Sequence, residues 1–264
     1  MESFSAKTFY DALKARDVVE LPEFHYADNT TSTNDIAKAL AREGVPQGAI
    51  CLAEEQLAGR GRDGAKWLSP RGKGVYASVI IYPRTEASLG GELSVMTGIA
   101  VAKAIREETN LPARLKWPND ILINAKKTGG ILTECRISDG KIEFAVLGTG
   151  INVFHTSDDL KEVRNYPATS LASEGAREPN REKLLASVWI ALMREYKNWL
   201  NGGFEYLKTE WEKLTAHSVG DVVFAKDATG ATIKGFYEGI APGGTLRVKL
   251  EDGALFDIRY PLMD

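Results

Sequence analysis

Residues 74–83, GVYASVIIYP, are apolar on both faces of an extended chain: Val75, Val79 and Ile81 alternate with Tyr76, Ile80 and Tyr82. A strand with two apolar faces must be covered on both sides, so it is expected near the centre of a sheet. Periodic segments supply the covers. Residues 5–16 place Phe9, Ala12 and Leu13 on one helical face, and 89–108 carry a longer stripe through Leu93, Met96, Val101 and Ile105. Ser32, with Asp35 three residues on, reads as a capping-box start to a helix with Ile36, Ala37, Leu40 and Ala41 inside and Gly44 as its stop. Asn180 is expected to cap a long helix through Leu200, ended by Gly202-Gly203 and followed by a helix bearing Phe204, Leu207, Trp211 and Leu214. Phe24–Tyr26, 48–55 and four runs between 114 and 154 read as strands. After about His217, short strands between DATG, APGG and EDG turns suggest a small all-β barrel of ~45 residues. The expected class is α+β: a mixed sheet with packed helices over 1–216, then a barrel over 217–264.

Composition narrows the chemistry. The 264 residues carry 33 Lys+Arg against 36 Asp+Glu, a formal charge of −3, which argues against a dedicated nucleic-acid binder. No apolar run approaches the ~20 residues of a membrane span, and the N-terminus lacks a signal-like apolar core. Cys51 and Cys135 are too few for a disulfide framework or a cysteine zinc site. A reduced, cytoplasmic protein with no membrane partner is expected. His25, His155 and His217 show no metal spacing and read as structural or surface residues, so metal ligands stay unassigned.

The strongest chemical signal is Gly59-Arg60-Gly61-Arg62-Asp63-Gly64-Ala65-Lys66-Trp67. Its glycines satisfy G-x-G-x-x-G, but Pro70, Gly72 and Gly74 follow where a dinucleotide fold needs a helix. No P-loop or kinase signature accompanies it. Five basic residues, Arg60, Arg62, Lys66, Arg71 and Lys73, stand against one acid, Asp63. Arginine forks match phosphate or carboxylate oxygens, and glycine lets backbone approach closely. The bland alternative is a solvated loop. Lys116-Trp117-Pro118-Asn119-Asp120 is expected to kink at Pro118 and present Asn119 and Asp120 at an edge rather than in a ladder. Lys126-Lys127-Thr128-Gly129-Gly130 follows a turn and again sets cations beside permissive backbone. Gly148-Thr149-Gly150-Ile151-Asn152 marks a close approach late in an apolar strand. Ordinary turns remain the bland reading of the middle two.

TSTN at 31–34, AEEQ at 53–56, GRGRDGAKW, KWPND, KKTGGIL and GTGIN occur in this order. Together they resemble the biotin protein ligase family, over residues 30–154, with the C-terminal segment similar to that family's SH3-like module. The resemblance implies a class II aminoacyl-tRNA synthetase-like catalytic domain. It implies two steps: biotin and MgATP give biotinyl-5′-AMP, and the acyl group then passes to one lysine of a biotin carboxyl carrier protein domain. By resemblance, Ser32, Thr33 and Gln56 hydrogen-bond the ureido ring of biotin, and Asn34 also belongs to the biotin site. Gly59, Arg60, Arg62, Lys127 and Gly130 complete the biotin site. Arg60, Arg62, Trp67, Asn119, Lys127 and Asn152 serve the nucleotide. Lys127, Arg62 and Asp120 act in catalysis, Asp120 by orienting or deprotonating the incoming amine. Gly130 and Gly150 would leave room for ligand. Biotin, ATP and Mg2+ are the small molecules implied.

Two departures qualify the resemblance. Only 30 residues precede the first motif, against the ~60 of a repressor's winged helix, so DNA is not an expected partner. Phe256-Asp257-Ile258-Arg259 stands where many relatives carry a Gly-Gly-Glu-like segment. Relatives occur as monomers and as homodimers through a sheet edge, and both states stay open. The rivals are a lipoate or octanoyl ligase-like acyl transferase, and a nucleic-acid module using the basic loop.

Overall fold

The computed structural model describes residues 3–161, 163, 166–227 and 229–259. The ends of both expected domains, 1–2 and 260–264, lie outside the described residues. Strands β1 (Phe24–Ala27), β2 (Ile50–Ala53), β3 (Gly74–Ile81), β4 (Arg114–Lys116), β5 (Asp120–Ile123), β6 (Lys126–Ser138) and β7 (Lys141–Asn152) form one sheet. Their order is β1-β2-β3-β7-β6-β5-β4; β1 and β2 are parallel and the other pairs antiparallel. β3 lies between β2 and β7 and is buried at every residue, as its two apolar faces require.

The two faces of β3 enter two cores. Val75, Ala77, Val79 and Ile81 join a large cluster with α1 (Ala6–Lys14), α3 (Gly90–Thr109) and α5 (Arg181–Leu214). Ile80 faces the other way and packs with Ala37 and Ala41 of α2 (Thr33–Glu43). Ser78 and Tyr76 share that second face. Gly203 breaks α5, at φ 58° and ψ −151°, where two glycines were expected to end it. Gly44 stops α2 with φ 81°.

The capping box expected at Ser32 is not formed. Ser32 is the N-cap residue of α2, but its side chain makes no cap hydrogen bond. The carboxylate of Asp35 is taken instead by the fork of Arg60, a stronger charge-assisted pair. Asp120 likewise departs from expectation. It sits in an inner strand, paired with Lys116 on one side and Gly130 on the other. Lys127 stands where expected, as the second residue of β6 just past the Asn124-Ala125 turn.

The C-terminal strands β8 (Val222–Lys226), β9 (Thr232–Ala241), β10 (Thr245–Lys249) and β11 (Leu255–Ile258) pair in the order β11-β10-β9-β8, an antiparallel meander. Its inner residues Val223, Tyr237, Ile240, Leu246, Val248 and Ile258 belong to the same apolar cluster as α3 and α5. Polar bonds reinforce the junction. Trp117 Nε1 donates to Gly244 O at 2.9 Å, and Trp211 Nε1 to Tyr237 Oη at 2.8 Å. The buried Glu92 accepts from Gly243 N at 2.8 Å and from Trp199 Nε1 at 2.7 Å. A side chain at Gly244, whose φ is 71°, would drive into the backbone of Gly91 and Glu92.

His155 follows β7 and is buried, with Nε2 3.2 Å from Tyr76 Oη. Burial lowers its pKa from 6.5 to about 4. The fold therefore favours the neutral ring. That stability is full above pH 6.5 and is lost as pH falls toward 4. At pH 5 the expected loss relative to neutral pH is about 2 kcal/mol. Urea titrations at pH 7.5 and 5 should show this loss in the wild type and little of it in His155→Gln. The same pH dependence in both proteins would contradict the assignment.

Candidate active site

The sequence motifs meet in one cleft on the α2 side of the sheet, a cavity of about 270 Å3. Of the residues singled out from sequence, Ser32, Thr33, Asn34, Gln56, Arg60, Arg62, Trp67, Asn119, Asp120, Lys127 and Gly130 line it. Its first wall is the start of α2. There Thr33 N donates to Gln56 Oε1 at 2.9 Å, and Gln56 Nε2 donates to Ser69 Oγ at 2.9 Å. Asn34 is buried and donates through Nδ2 to Leu132 O at 3.2 Å and Glu134 Oε2 at 2.5 Å. Gly148 must lack a side chain, because a Cβ there would overlap Asn34 Oδ1.

The Gly–Arg loop forms the second wall as a closed turn. Trp67 N donates to Gly59 O at 2.8 Å and Gly61 N to Ala65 O at 2.6 Å. Gly59 acts here through close packing: a Cβ would lie 2.8 Å from Ser69 Oγ. The loop is not a bare cationic patch. Arg60 is forked by Asp35 at 2.8 and 2.6 Å, which holds that carboxyl below its usual range. Arg71 pairs with Asp28 at 2.7 Å and Lys73 with Asp159 at 2.5 Å.

The third wall is the β5–β6 hairpin. Lys127 Nζ meets Asp120 Oδ1 at 2.5 Å and stands 5.4 Å from the centre of the Trp67 ring. The backbone of Lys127 is held on both sides, by Pro167 O and by Thr169 N, at 2.7 and 2.9 Å. Asn119 Nδ2 donates to Ile131 O at 2.7 Å. The room expected at Gly130 and Gly150 is taken by the indole of Trp67. A Cβ at Gly130 would lie 3.2 Å from that ring, and one at Gly150 would overlap Trp67 Nε1. Among the described residues no group accepts the buried indole N–H. Asn152 is not among the lining residues: its amide is buried and donates to Thr169 O at 3.0 Å, bracing the segment that holds Lys127.

Lys38, Ser69, Ser78 and Glu134 support these groups without any sequence signal read at them, and Asp35, read from sequence only as a helix cap, does so through Arg60. Glu134 carried a legible signal. A carboxylate inside the apolar run GILTECRI has to find cations, and Lys38 and Arg60 stand 2.7 and 3.8 Å from it.

The family model described as the biotin/lipoate A/B protein ligase family matches residues 26–152, which contain the whole cleft lining. The bifunctional ligase/repressor BirA of Bacillus spizizenii is 32% identical over 228 residues, covering 86% of this chain and 70% of that protein. The chain belongs to the biotin/lipoate A/B protein ligase family. The biotin–[acetyl-CoA-carboxylase] ligase of Paracoccus denitrificans is 32% identical over 220 residues, covering 82% of this chain and 90% of the relative. Among solved structures, biotin protein ligase from Aquifex aeolicus in complex with biotin and ATP superposes with a TM-score of 0.73 at 27% identity. That match covers 90% of this chain and 96% of the Aquifex chain, so the likeness reaches past the matched family segment into the C-terminal sheet. No described helix is long and apolar enough to cross a membrane.

Proposed function

We infer that this chain is an ATP-dependent biotin–[acetyl-CoA-carboxylase] ligase. The observation that carries the reading is the convergence of polar ring-binding groups, two loop arginines and the Lys127–Asp120 pair in one cleft. The carboxylate of biotin attacks the α-phosphorus of ATP, and pyrophosphate leaves with the bonding electrons. An acceptor lysine amine then attacks the acyl carbon, AMP leaves, and the amine gives up a proton.

Thr33 and Gln56, with Ser32 and Asn34, hold the ring. Arg60, Arg62 and Lys127 draw two anions together that would otherwise repel. For Arg60 and Lys127 this means exchanging Asp35 and Asp120 for ligand oxygens. Asp120, released from Lys127, is then placed to accept the proton of the incoming amine. Trp67 closes over the nucleotide, Asn119 fixes the hairpin edge beside it, and Asn152 acts from behind by bracing the Lys127 segment. Magnesium favours phosphate oxygens with one or two carboxylates. Asp63 and Asp120 are the acids on the cleft wall that fit this role; the ion would screen the charge of the leaving pyrophosphate.

The finer reading extends beyond the cleft. We assign residues 1–216 to a class II synthetase-like catalytic domain and 217–264 to an SH3-like barrel of which the meander is the described part. A carboxylase carrier domain supplies the acceptor lysine. We assign the protein to the cytoplasm and give it no DNA partner; the repressor role in the Bacillus relative's name is not carried over. A homodimer through the β1 edge is compatible with the exposed position of Tyr26 there. The nucleic-acid alternative is disfavoured by the internal pairing of Arg60, Arg71 and Lys73.

The transfer reading is tested by incubating the protein with biotin, ATP and a carrier domain. Mass spectrometry should find biotin on the single carrier lysine. Transfer of lipoate or octanoate in place of biotin would support the rival ligase. A smaller prediction concerns Trp67. Gly150→Ala puts a methyl group into the space of the indole, and should raise KM for ATP about tenfold through ~1–2 kcal/mol of misplacement. An unchanged KM would show that Trp67 does not serve the nucleotide. A third concerns the loop: residues 59–74 should resist protease better with biotin plus ATP than without, since ligand offsets the cost of ordering five glycines. Equal cleavage would count against loop closure.

A further inference from the structure

Beneath the ring pocket, Ser78 is a fully buried hydroxyl in strand β3 to which no part of the reaction has yet been assigned. Its Oγ lies 2.6 Å from Asn34 Oδ1 and 2.7 Å from Thr33 Oγ1, and Thr33 Oγ1 lies 3.3 Å from Gln56 Oε1. These are three oxygen–oxygen contacts, and only two protons are available to fill them, one on each hydroxyl. The two shortest contacts need them most, because bare oxygens repel at that range.

The direction of each bond then follows. Asn34 cannot turn its amide over, because its Nδ2 faces two groups that only accept, Leu132 O and the Glu134 carboxylate. Lys38 and Arg60 face that carboxylate. So Asn34 presents Oδ1 to Ser78, and Ser78 spends its proton there. Thr33 must then donate to Ser78 Oγ. Thr33, on the cleft lining, is left with Oγ1 as an acceptor, beside Gln56 Oε1, which already accepts from Thr33 N.

We propose that Ser78, held by Asn34 and Glu134, is a specificity-determining residue that fixes Thr33 as a hydrogen-bond acceptor. The pocket thereby selects a ring presenting an N–H at that position and rejects an isosteric ring presenting an oxygen. The inference rests on the ligase reading, since the ring is the ureido ring of biotin. Ser78 acts through Thr33 and does not touch the ligand.

The test compares biotin with a cyclic carbamate analogue in which one ureido N–H is replaced by oxygen, each analogue isomer assayed by ATP-dependent pyrophosphate release. The wild type should prefer biotin in kcat/KM over the disfavoured isomer by about 100-fold or more, as sites built to pair with a ligand N–H do. In Ser78→Ala, Thr33 can turn its proton toward the cleft, and that ratio should fall about tenfold, with kcat for biotin itself changing less than the ratio. Ser78→Cys, a weak donor of similar shape, should give an intermediate ratio, and it decides the matter alone if the alanine variant does not fold. Wild-type discrimination in the folded variants would overturn the proposal while leaving the ligase reading intact. Failure of the wild type to release pyrophosphate with biotin would overturn the ligase reading instead.

Discussion

Lys127→Ala should slow biotinyl-adenylate formation by roughly 10²- to 10³-fold while the fold survives. The side chain is half-buried at the cleft wall and makes its charged contact with Asp120, so truncation opens no apolar cavity. What is lost is a fixed positive charge where a carboxylate and a triphosphate must meet. A donor aimed at developing charge is worth ~3 kcal/mol or more in a site closed to water. The deficit is compounded by Asp120, which is left as an unbalanced negative charge beside the incoming phosphates. Pyrophosphate release should collapse, whereas the thermal midpoint should move by only a few degrees. Near wild-type pyrophosphate release in a folded Lys127→Ala protein would remove Lys127 from the catalytic role.

Arg62→Gly should leak the activated intermediate. Arg60 and Lys127 remain in this variant, so some adenylate is still made. Retention is a separate demand, because the mixed anhydride must stay enclosed until the acceptor amine arrives. Arg62 lines the cleft within the turn that Gly61 N and Ala65 O close. Its loss removes a charge-assisted hydrogen bond, ~1.5 to 3 kcal/mol, and adds backbone entropy to the ordered loop. Release should be roughly ten- to a hundredfold faster. A bystander protein without a carrier domain should then gain biotin on its surface lysines above the wild-type level. If the variant retains the adenylate as long as the wild type, Arg62 is not the clamp.

Much of the fold was legible because its cues are local. The two-faced apolar run at 74–83 identified the central strand, and Gly44 and Gly202-Gly203 marked helix ends through backbone freedom. Strand partners were not legible, since pairing Asp120 with Gly130, or β3 with β7, depends on contacts remote in sequence. That is why Asp120 was expected at an edge. The C-terminal module looked separate because its turn texture changes at His217, yet Trp117, Glu92 and Trp211 tie it to the larger domain through contacts that span up to 151 residues. In the cleft, the motif residues were visible by type and spacing. Their partners were not: Asp35 passed as a helix cap, and Ser78 as an ordinary polar residue in a strand. Gly130 and Gly150 were recognised as room for something, but a single sequence does not say that the occupant is Trp67. The residues that hold the site are drawn from strands and helix starts far apart in the chain, and only the packed structure brings them together.

The central claim is that this cleft joins biotin to AMP, and pyrophosphate release tests it most directly. With ATP in excess and no acceptor protein, added biotin should release about one equivalent of pyrophosphate per chain in a burst, after which release should fall to the slow rate of adenylate loss. No biotin-dependent burst, or a burst given equally by lipoate, would contradict the account.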